Sequence, residues 1–292
     1  MKYALYPGCA AKGAAPELYQ ATQKVIDRLG IAVTELTDFN CCGAGVISEA
    51  DPDLAYTLNA RTLATAEKWG LNIMTLCGTC QGVLGAANKA LQTDEALRER
   101  INKALYTATG LTYQGSVMVK HLQWILVKDF GLERLQPFIT HPLTELSVAP
   151  FYGCYMLRPA STTGFDDWED PSSLEKLIRG VGAQPVEYEG RAKCCGFPVF
   201  IEREEIALGM VGERIADAQK KGGEIMVTPC PLCHMSLDIY QSRAEEKLRS
   251  TGQADATLNM PILHLPQLLG LAMGFSHSEL GMNRHLTATG AF

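Results

Sequence analysis

The stretch DFNCCGAG at residues 38–45 places two cysteines side by side and follows them with glycine. The stretch RAKCCGFP at residues 191–198 repeats that arrangement in the second half of the chain. All ten cysteines fall into two sets of five, which are Cys9, Cys41, Cys42, Cys77 and Cys80, and Cys154, Cys194, Cys195, Cys230 and Cys233. The last four members of each set are 153 residues apart and the first members are 145 apart. This spacing predicts a duplicated unit.

The sequence around the cysteines repeats as well. YALYPGC at 3–9 matches VAPFYGC at 148–154, and NIMTLCGTC at 72–80 matches EIMVTPCPLC at 224–233. We therefore expect two domains, at residues 1–146 and 147–292, with the boundary near the helix-breaking Pro142. The eight additional residues of the second copy are expected around the acidic stretch 165–173, which includes Trp168. Trp168 is interpreted as part of a contact surface or of a lid over its own domain.

Strand-like and helix-like patterns alternate within each unit. In the first, residues 2–7, 32–36 and 72–76 are typical of short strands, and 16–30, 52–70 and 78–91 of helices. The second unit follows the same order and ends in one helix expected over residues 231–248. The pattern predicts an α/β fold of two pseudo-symmetric repeats, each a small parallel, Rossmann-like sheet flanked by helices. The cysteines follow strands, so each set should converge at the carboxyl edge of its sheet.

Composition limits the classes of function. The chain has 292 residues, 47% of them hydrophobic, and a net charge of −6, which argues against a nucleic-acid partner. Its most apolar stretch, residues 261–275, is too short to span a bilayer, and the N-terminus does not resemble a signal peptide. We expect a cytoplasmic protein with no membrane span, where ten cysteines indicate metal or redox chemistry rather than disulfides.

Three kinds of metal site compete for the cysteines. Structural zinc needs four ligands and leaves one cysteine of each set unexplained. Covalent haem fits the Cys-x-x-Cys-His pattern at residues 230–234, but the first unit has Gln81 at the place of His234. An iron–sulfur cluster remains, although an ordinary cubane uses only four thiolates. Two adjacent cysteines on a short loop suit binding to neighbouring irons better than to a single iron.

The two five-cysteine motifs resemble the tandem CCG domains of the catalytic B subunit of heterodisulfide reductases, and the tail at residues 268–285 is similar to that family's C-terminal helix. The resemblance implies two noncubane [4Fe–4S] clusters, held by all ten cysteines, with a disulfide cleaved or formed between them. It also implies a ferredoxin-like C subunit and a flavin-containing A subunit as partners. In the sulfur-oxidising variant of the family, the substrate would be sulfur on a lipoate-bearing carrier protein.

Other functions stay open at this point. Related tandem CCG proteins serve lactate, glycolate or quinone oxidoreductase complexes, and the chain could be an electron-transfer subunit without catalysis. His121 and His264 occupy equivalent places in the two units, and we expect them to pack at the start of a helix rather than to hydrogen-bond to a cluster or deliver protons. Trp124 is expected in the core.

Overall fold

The structure, a computed structural model, describes residues 1–252 and 257–289. Two four-stranded, all-parallel sheets organise this part of the chain. The first has the order β2-β1-β3-β4 and the second the order β6-β5-β7-β8. Their strands are β1 (Lys2–Tyr6), β2 (Ala32–Glu35), β3 (Asn72–Thr75), β4 (Val119–His121), β5 (Ser147–Pro150), β6 (Gln184–Pro185), β7 (Ile225–Thr228) and β8 (Ile262–His264). The predicted α/β fold with two similar parallel sheets is confirmed.

Helices connect the strands. Those of the first half are α1 (Gly8–Lys12), α2 (Pro16–Arg28), α3 (Val46–Ala50), α4 (Pro52–Lys68), α5 (Gly78–Thr93), α6 (Glu95–Thr109), α7 (Leu122–Trp124), which continues as a π-helix (Ile125–Gly131), and α8 (Leu132–Leu135). Those of the second half are α9 (Ala160–Thr163), α10 (Ser173–Gly180), α11 (Glu204–Lys220), α12 (Pro231–Ile239), α13 (Gln241–Ser250) and α14 (Leu265–Ala272).

Local sequence explains where the long helices begin. Asp51 accepts a hydrogen bond from the Leu54 amide at 3.0 Å and is followed by Pro52, which suits the first helical position of α4. Asp94 caps α6 in the same way, through the Leu97 amide at 2.9 Å. The lengths of α4 and α5 agree with the expected helices to within two residues at each end.

Two features differ from the expectation. The last strand of each sheet, β4 and β8, was not predicted, because three residues are too few to show an alternating pattern. The single helix expected over residues 231–248 is interrupted at Tyr240, between α12 and α13. Both fourth strands end in a histidine that starts a helix, and His121 accepts the Gln123 amide at 3.0 Å. This agrees with the packing role expected for His121. Burial of the imidazole lowers its pKa to about 4.

Both hydrophobic cores contain buried residues from both halves of the chain. Trp124 is buried, as expected, and Phe165 of the acidic stretch stacks on it with ring centroids 4.8 Å apart. In the same stretch Trp168 is 43% exposed, and the Arg158 guanidinium lies 5.5 Å from its ring. Helix α14 packs against α2, so the end of the second half covers the beginning of the first. The division into domains at 1–146 and 147–292 stays a prediction.

Among the helices of the described residues, none is both long enough and apolar enough to cross a bilayer.

Candidate metal centre formed by two sets of cysteines

Both sheets place cysteines at the point where the strand order reverses. In the first sheet this point lies between β1 and β3; Cys9 lies in α1 just after β1, and Cys77 caps α5 after β3. Cys154 and Cys230 hold the matching places after β5 and β7. Parallel α/β sheets bind ligands at this reversal of strand order, outside the carboxyl ends of the strands. The expected edge location of the cysteines is therefore observed in both sheets.

The thiols of the first set form a continuous series. Cys9 Sγ lies 3.7 Å from Cys41 Sγ. Cys41 and Cys42, Cys42 and Cys80, and Cys80 and Cys77 lie close enough to shift each other's pKa. The series runs from the exposed Cys9 and Cys41 to thiols that are fully buried.

The second set repeats this series. The pKa values link the same order of neighbours: Cys154 with Cys194, Cys194 with Cys195, Cys195 with Cys233, and Cys233 with Cys230. Its outer members, Cys154 and Cys194, are half-buried, and the other three are buried. The amide of Gly196 also donates to Cys194 Sγ at 3.4 Å.

The two series meet at their buried ends. Cys77 Sγ lies 3.8 Å from Cys230 Sγ, and the Thr79 hydroxyl lies 3.5 Å from the same Cys230 sulfur. All ten cysteines are free thiols, and together they form one chain of contacts that is symmetric about the contact between Cys77 and Cys230. The arithmetic of the repeat predicted two separate convergent sets, and it did not indicate that the sets touch.

Neighbouring thiols shift each other's pKa in opposite directions. Hydrogen bonds from Cys41 and Cys80 lower the pKa of Cys42, and the hydrogen bond to Cys42 raises the pKa of Cys41. In the second set, hydrogen bonds from Cys233 and Cys77 lower the pKa of Cys230, while the pKa of Cys233 is raised by its bonds to Cys195 and Cys230. Adjacent thiolates repel, so a series of thiols cannot ionise fully unless a cationic group lies among them. The donor set therefore suits a metal cluster.

Two buried side chains donate hydrogen bonds to the backbone of the Cys-Cys loops. In the first unit Asn59 Nδ2 donates to the Cys42 carbonyl at 3.0 Å, and in the second the Ser236 hydroxyl donates to the Cys195 carbonyl at 2.7 Å. Both hydrogen bonds are buried. Different residues thus do the same work in the two units: they fix the backbone carbonyl of the second cysteine of each pair.

Replacing Ser236 with alanine is expected to lower the free energy of unfolding by about 1–3 kcal/mol, because the Cys195 carbonyl would be left buried without a donor. Asn59→Ala should have a similar effect through Cys42. Anaerobic urea titrations measure the change. The matched control is Ser250→Ala, where an exposed hydroxyl bond to Lys247 is lost and a change of less than about 0.5 kcal/mol is expected. Equal effects at positions 236 and 250 would contradict the role of Ser236.

Glycine at two positions makes room for sulfur. Gly8 and Gly153 both have positive φ, +76° and +70°, and each precedes the first cysteine of its set. A Cβ atom would lie 3.2 Å from Cys80 Sγ at Gly8, and only 2.7 Å from Cys233 Sγ at Gly153. The backbone after β1 and β5 therefore passes directly over the innermost helical cysteine of each set.

A cavity of about 200 Å³ opens between the two units, beside the second set. The first unit contributes Ala44, Gly45, Gly78 and Thr79 to its wall. The second unit contributes four of its cysteines and the side chains of Tyr152, Tyr155, Met156, Phe197, Pro198, Ile201 and Leu232. No lysine, arginine, aspartate or glutamate is among the described residues that line it. The cavity thus offers thiols on an otherwise uncharged, mostly apolar wall.

Comparisons with known proteins agree with this geometry. The family model for the CCG cysteine-rich domain matches twice, at residues 3–85 and 148–238. The chain is 38% identical over 285 residues to the 8-methylmenaquinol:fumarate reductase membrane anchor subunit of Wolinella succinogenes, covering 98% of this chain and 96% of that protein. It is 32% identical over 287 residues to the B subunit of the ferredoxin/F(420)H(2)-dependent CoB-CoM heterodisulfide reductase of Methanosarcina acetivorans, covering 97% of this chain and 93% of that one.

A solved structure shares the fold. A hypothetical protein from Helicobacter pylori superposes with a TM-score of 0.77 at 15% identity, over 99% of this chain and 52% of the other. This chain therefore spans about half the length of that protein. From the two family matches and the relatives named as B subunits of heterodisulfide reductases, we conclude that the chain belongs to the family of tandem CCG cysteine-rich domain proteins.

Proposed function

We propose that the chain is the iron–sulfur redox subunit of a multi-subunit oxidoreductase, with one noncubane [4Fe–4S] cluster in each set of five cysteines. The observation that carries the proposal is the single chain of ten thiols with a cavity beside its centre. Relatives named as B subunits of heterodisulfide reductases support the oxidoreductase role and the iron–sulfur chemistry.

The residues fit such a cluster in two respects. Each set offers five soft thiolate ligands, more than a zinc site uses. Gly8 and Gly153 leave space over Cys80 and Cys233, where a side chain would meet sulfur. When bound, the clusters would supply the single-electron transfers that a two-electron reaction needs. The Thr79 hydroxyl, 3.5 Å from Cys230 Sγ, is placed to tune the potential at the buried end of the second set.

Electrons are proposed to enter at the first set, because Cys9 and Cys41 are exposed there. A ferredoxin-like C subunit is the proposed electron carrier, and a flavin-containing A subunit the proposed third component. A partner docked over these two thiols would bring its own redox centre close to the series of sulfur atoms. The cavity lies between the two units, beside the buried thiols of the second set, so the substrate would meet the series at a different point from the exposed Cys9 and Cys41. A cytoplasmic location of this complex is part of the proposal.

The first candidate substrate is a disulfide or persulfide. A disulfide takes up two electrons and two protons to give two thiols, and the reverse reaction forms the disulfide. The relatives named as CoB-CoM heterodisulfide reductase subunits favour this chemistry. The cavity would hold the sulfur–sulfur bond beside the cysteines of the second set and would exclude water with its apolar wall. The direction of the reaction would follow the potentials of the partners.

The second candidate is a quinone, which takes up two electrons and two protons to give a quinol. It is favoured by the uncharged wall of the cavity, since an anionic disulfide would call for arginine or lysine nearby. The relative from Wolinella succinogenes, whose name includes 8-methylmenaquinol, points the same way.

One experiment separates these candidates from a simple electron relay. The anaerobic protein is reduced and then mixed, in a stopped-flow instrument, with oxidised lipoamide, oxidised glutathione or a short-chain menaquinone. Rapid reoxidation by either disulfide supports the first candidate, with a preference for the neutral lipoamide expected from the uncharged cavity. Reoxidation by the menaquinone alone supports the second. If none of the three compounds reoxidises the protein while a ferredoxin does, the chain is an electron-transfer subunit and both substrate candidates fail.

Filling the cavity should weaken substrate binding without removing the cysteines. We expect Ala44→Leu to raise KM about tenfold, because overpacking of this size costs about 1–3 kcal/mol. Steady-state kinetics with the substrate identified above measure the effect, and iron analysis confirms that metal content is unchanged. Ala96→Leu, an exposed position at the start of α6, is the matched control and should leave KM unchanged. An unaltered KM in Ala44→Leu would exclude the cavity as the substrate site.

A further inference from the structure

Three histidines and a glutamate meet next to the second cysteine set. His234 follows Cys233 in α12, His264 ends β8, and His285 lies in the C-terminal segment. The rings of His234 and His264 stack with centroids 3.9 Å apart, and the His285 ring lies 4.7 Å from that of His234. Glu17, from α2 of the first unit, approaches His264 Nε2 to 3.3 Å. Side chains from four separate segments therefore converge in a buried site.

One ring nitrogen in this site lacks a partner. His234 Nε2 is buried and has no hydrogen-bond partner among the described residues. Leaving such a group unsatisfied costs about 1–3 kcal/mol, and buried polar atoms are rarely left in that condition. The cluster therefore has unused capacity to bind something.

The first unit shows how the same place in the fold is satisfied without a ligand. Gln81 is the counterpart of His234, 153 residues earlier in the chain. Its side chain accepts from the Thr75 hydroxyl at 2.8 Å and donates to the Val119 carbonyl at 3.0 Å, so both of its polar atoms are used. The second unit has replaced this satisfied amide with an imidazole whose Nε2 is unpartnered among the described residues.

The second histidine repeats the contrast. His121, the counterpart of His264, has both ring nitrogens within 3.0 Å of a partner: Nδ1 accepts from the Gln123 amide and Nε2 meets the Pro229 carbonyl. His264 Nε2 faces the Glu17 carboxylate instead. The first unit thus serves as an internal control. Its histidine contacts only backbone groups, whereas the histidine of the second unit contacts a carboxylate.

The surroundings hold the site in place. Gln267 accepts from the His264 amide at 2.9 Å, and its side-chain amide donates to His285 Nε2 at 2.9 Å. His285 is therefore protonated at Nδ1 and serves as a wall of the site rather than as a metal ligand. The C-terminal segment also passes close over Glu17, since a Cβ atom at Gly281 would lie 2.8 Å from Glu17 Cβ.

We propose that Glu17, His234 and His264 bind one divalent transition-metal ion, with zinc as the best match, at a site separate from the ten cysteines. One ligand atom from each of the three residues already lies within 4.8 Å of the others. Ligand atoms around a tetrahedral zinc ion are about 3.4 Å apart, which the 3.3 Å between His264 Nε2 and Glu17 Oε1 matches.

Such an ion would have a structural consequence. Its ligands come from α2 in the first unit and from α12 and the end of β8 in the second. It would therefore join the two units. Nitrogen and oxygen ligands suit zinc, whereas the cysteine sets offer only sulfur, so the two kinds of site can be told apart by spectroscopy.

The test uses the complete protein purified anaerobically in the presence of zinc. Elemental analysis should give about one zinc per chain in addition to iron, because three protein ligands make one four-coordinate site with an open position. X-ray absorption at the zinc edge should show nitrogen and oxygen neighbours without sulfur. Sulfur neighbours would place the zinc in the cysteine sets and overturn the proposal, and so would the absence of bound zinc.

Variants provide the second measurement. His234→Gln introduces the residue that the first unit has at this place. His234→Gln and Glu17→Gln, made as separate variants, should each reduce the zinc content more than about tenfold and leave the iron content unchanged. The matched control is His121→Gln, at the place equivalent to His264, which should keep its zinc. Retention of zinc in both His234→Gln and Glu17→Gln would overturn the assignment of these ligands. If a variant fails to fold, the absorption spectrum of the unaltered protein still decides the question.

Discussion

Replacing Cys80 with alanine is expected to halve the iron content of the anaerobically purified protein, from about eight to about four atoms per chain. Cys80 lies in the first turn of α5, fully enclosed, between Cys42 and Cys77 in the series of thiols. Its loss separates the Cys-Cys loop from the buried end of the first set. Iron and acid-labile sulfide, measured per chain, report the change.

The duplication supplies the control for this variant. Cys233→Ala is the equivalent change in the second set and should also leave about four irons, but the remaining cluster would differ in its electron paramagnetic resonance spectrum. The double variant should bind almost no iron. A protein that contains zinc and no iron, or one that keeps all its iron in both single variants, would rule out a cluster in each set of cysteines.

The position of the cysteines could be predicted because parallel sheets have simple rules. Cys77 and Cys230 each follow a strand, and the carboxyl ends of parallel strands meet at one edge. The repeat alone does not predict the 3.8 Å contact between these two sulfurs, because it depends on how the two units pack, whereas the family resemblance already implied that the two clusters face each other. A repeat in the sequence defines each unit and carries no information on their relative orientation.

The histidine site could not be predicted for a similar reason. Glu17 and His264 are 247 residues apart and belong to different units, so no local spacing connects them. A signal was nevertheless present in the comparison of the two copies, since Gln81 in one corresponds to His234 in the other. From the sequence alone, that difference was used only to argue against covalent haem, because the Cys-x-x-Cys pair is followed by His234 in the second unit and by Gln81 in the first. The short strands β4 and β8 were not predicted for a local reason, because three residues are too few to show an alternating pattern.

Glycine at position 153 is expected to be as important for the second set as a cysteine. In Gly153→Ala the new methyl carbon would lie 2.7 Å from Cys233 Sγ, closer than side-chain carbons approach other atoms, and the residue would keep a positive φ of +70°. Either the backbone after β5 or the Cys233 sulfur must move. We expect the iron content to fall from about eight to about four atoms per chain, as in Cys233→Ala.

Substitutions at two further glycines distinguish two causes of iron loss: the close contact with sulfur and the strain of a positive φ. Gly222 has a φ of +88°, and no described atom lies within 4 Å of the place that an added methyl carbon would take, so Gly222→Ala should cost about 1–3 kcal/mol in stability and keep its full iron content. In Gly8→Ala the added methyl carbon would lie 3.2 Å from Cys80 Sγ. Its iron content should therefore fall between those of Gly153→Ala and Gly222→Ala, with partial loss of iron from the first set. Iron analysis and urea unfolding of the three variants distinguish the causes. If Gly222→Ala lost as much iron as Gly153→Ala, backbone strain would explain the loss, and the close passage of the chain over the sulfur would have no special role.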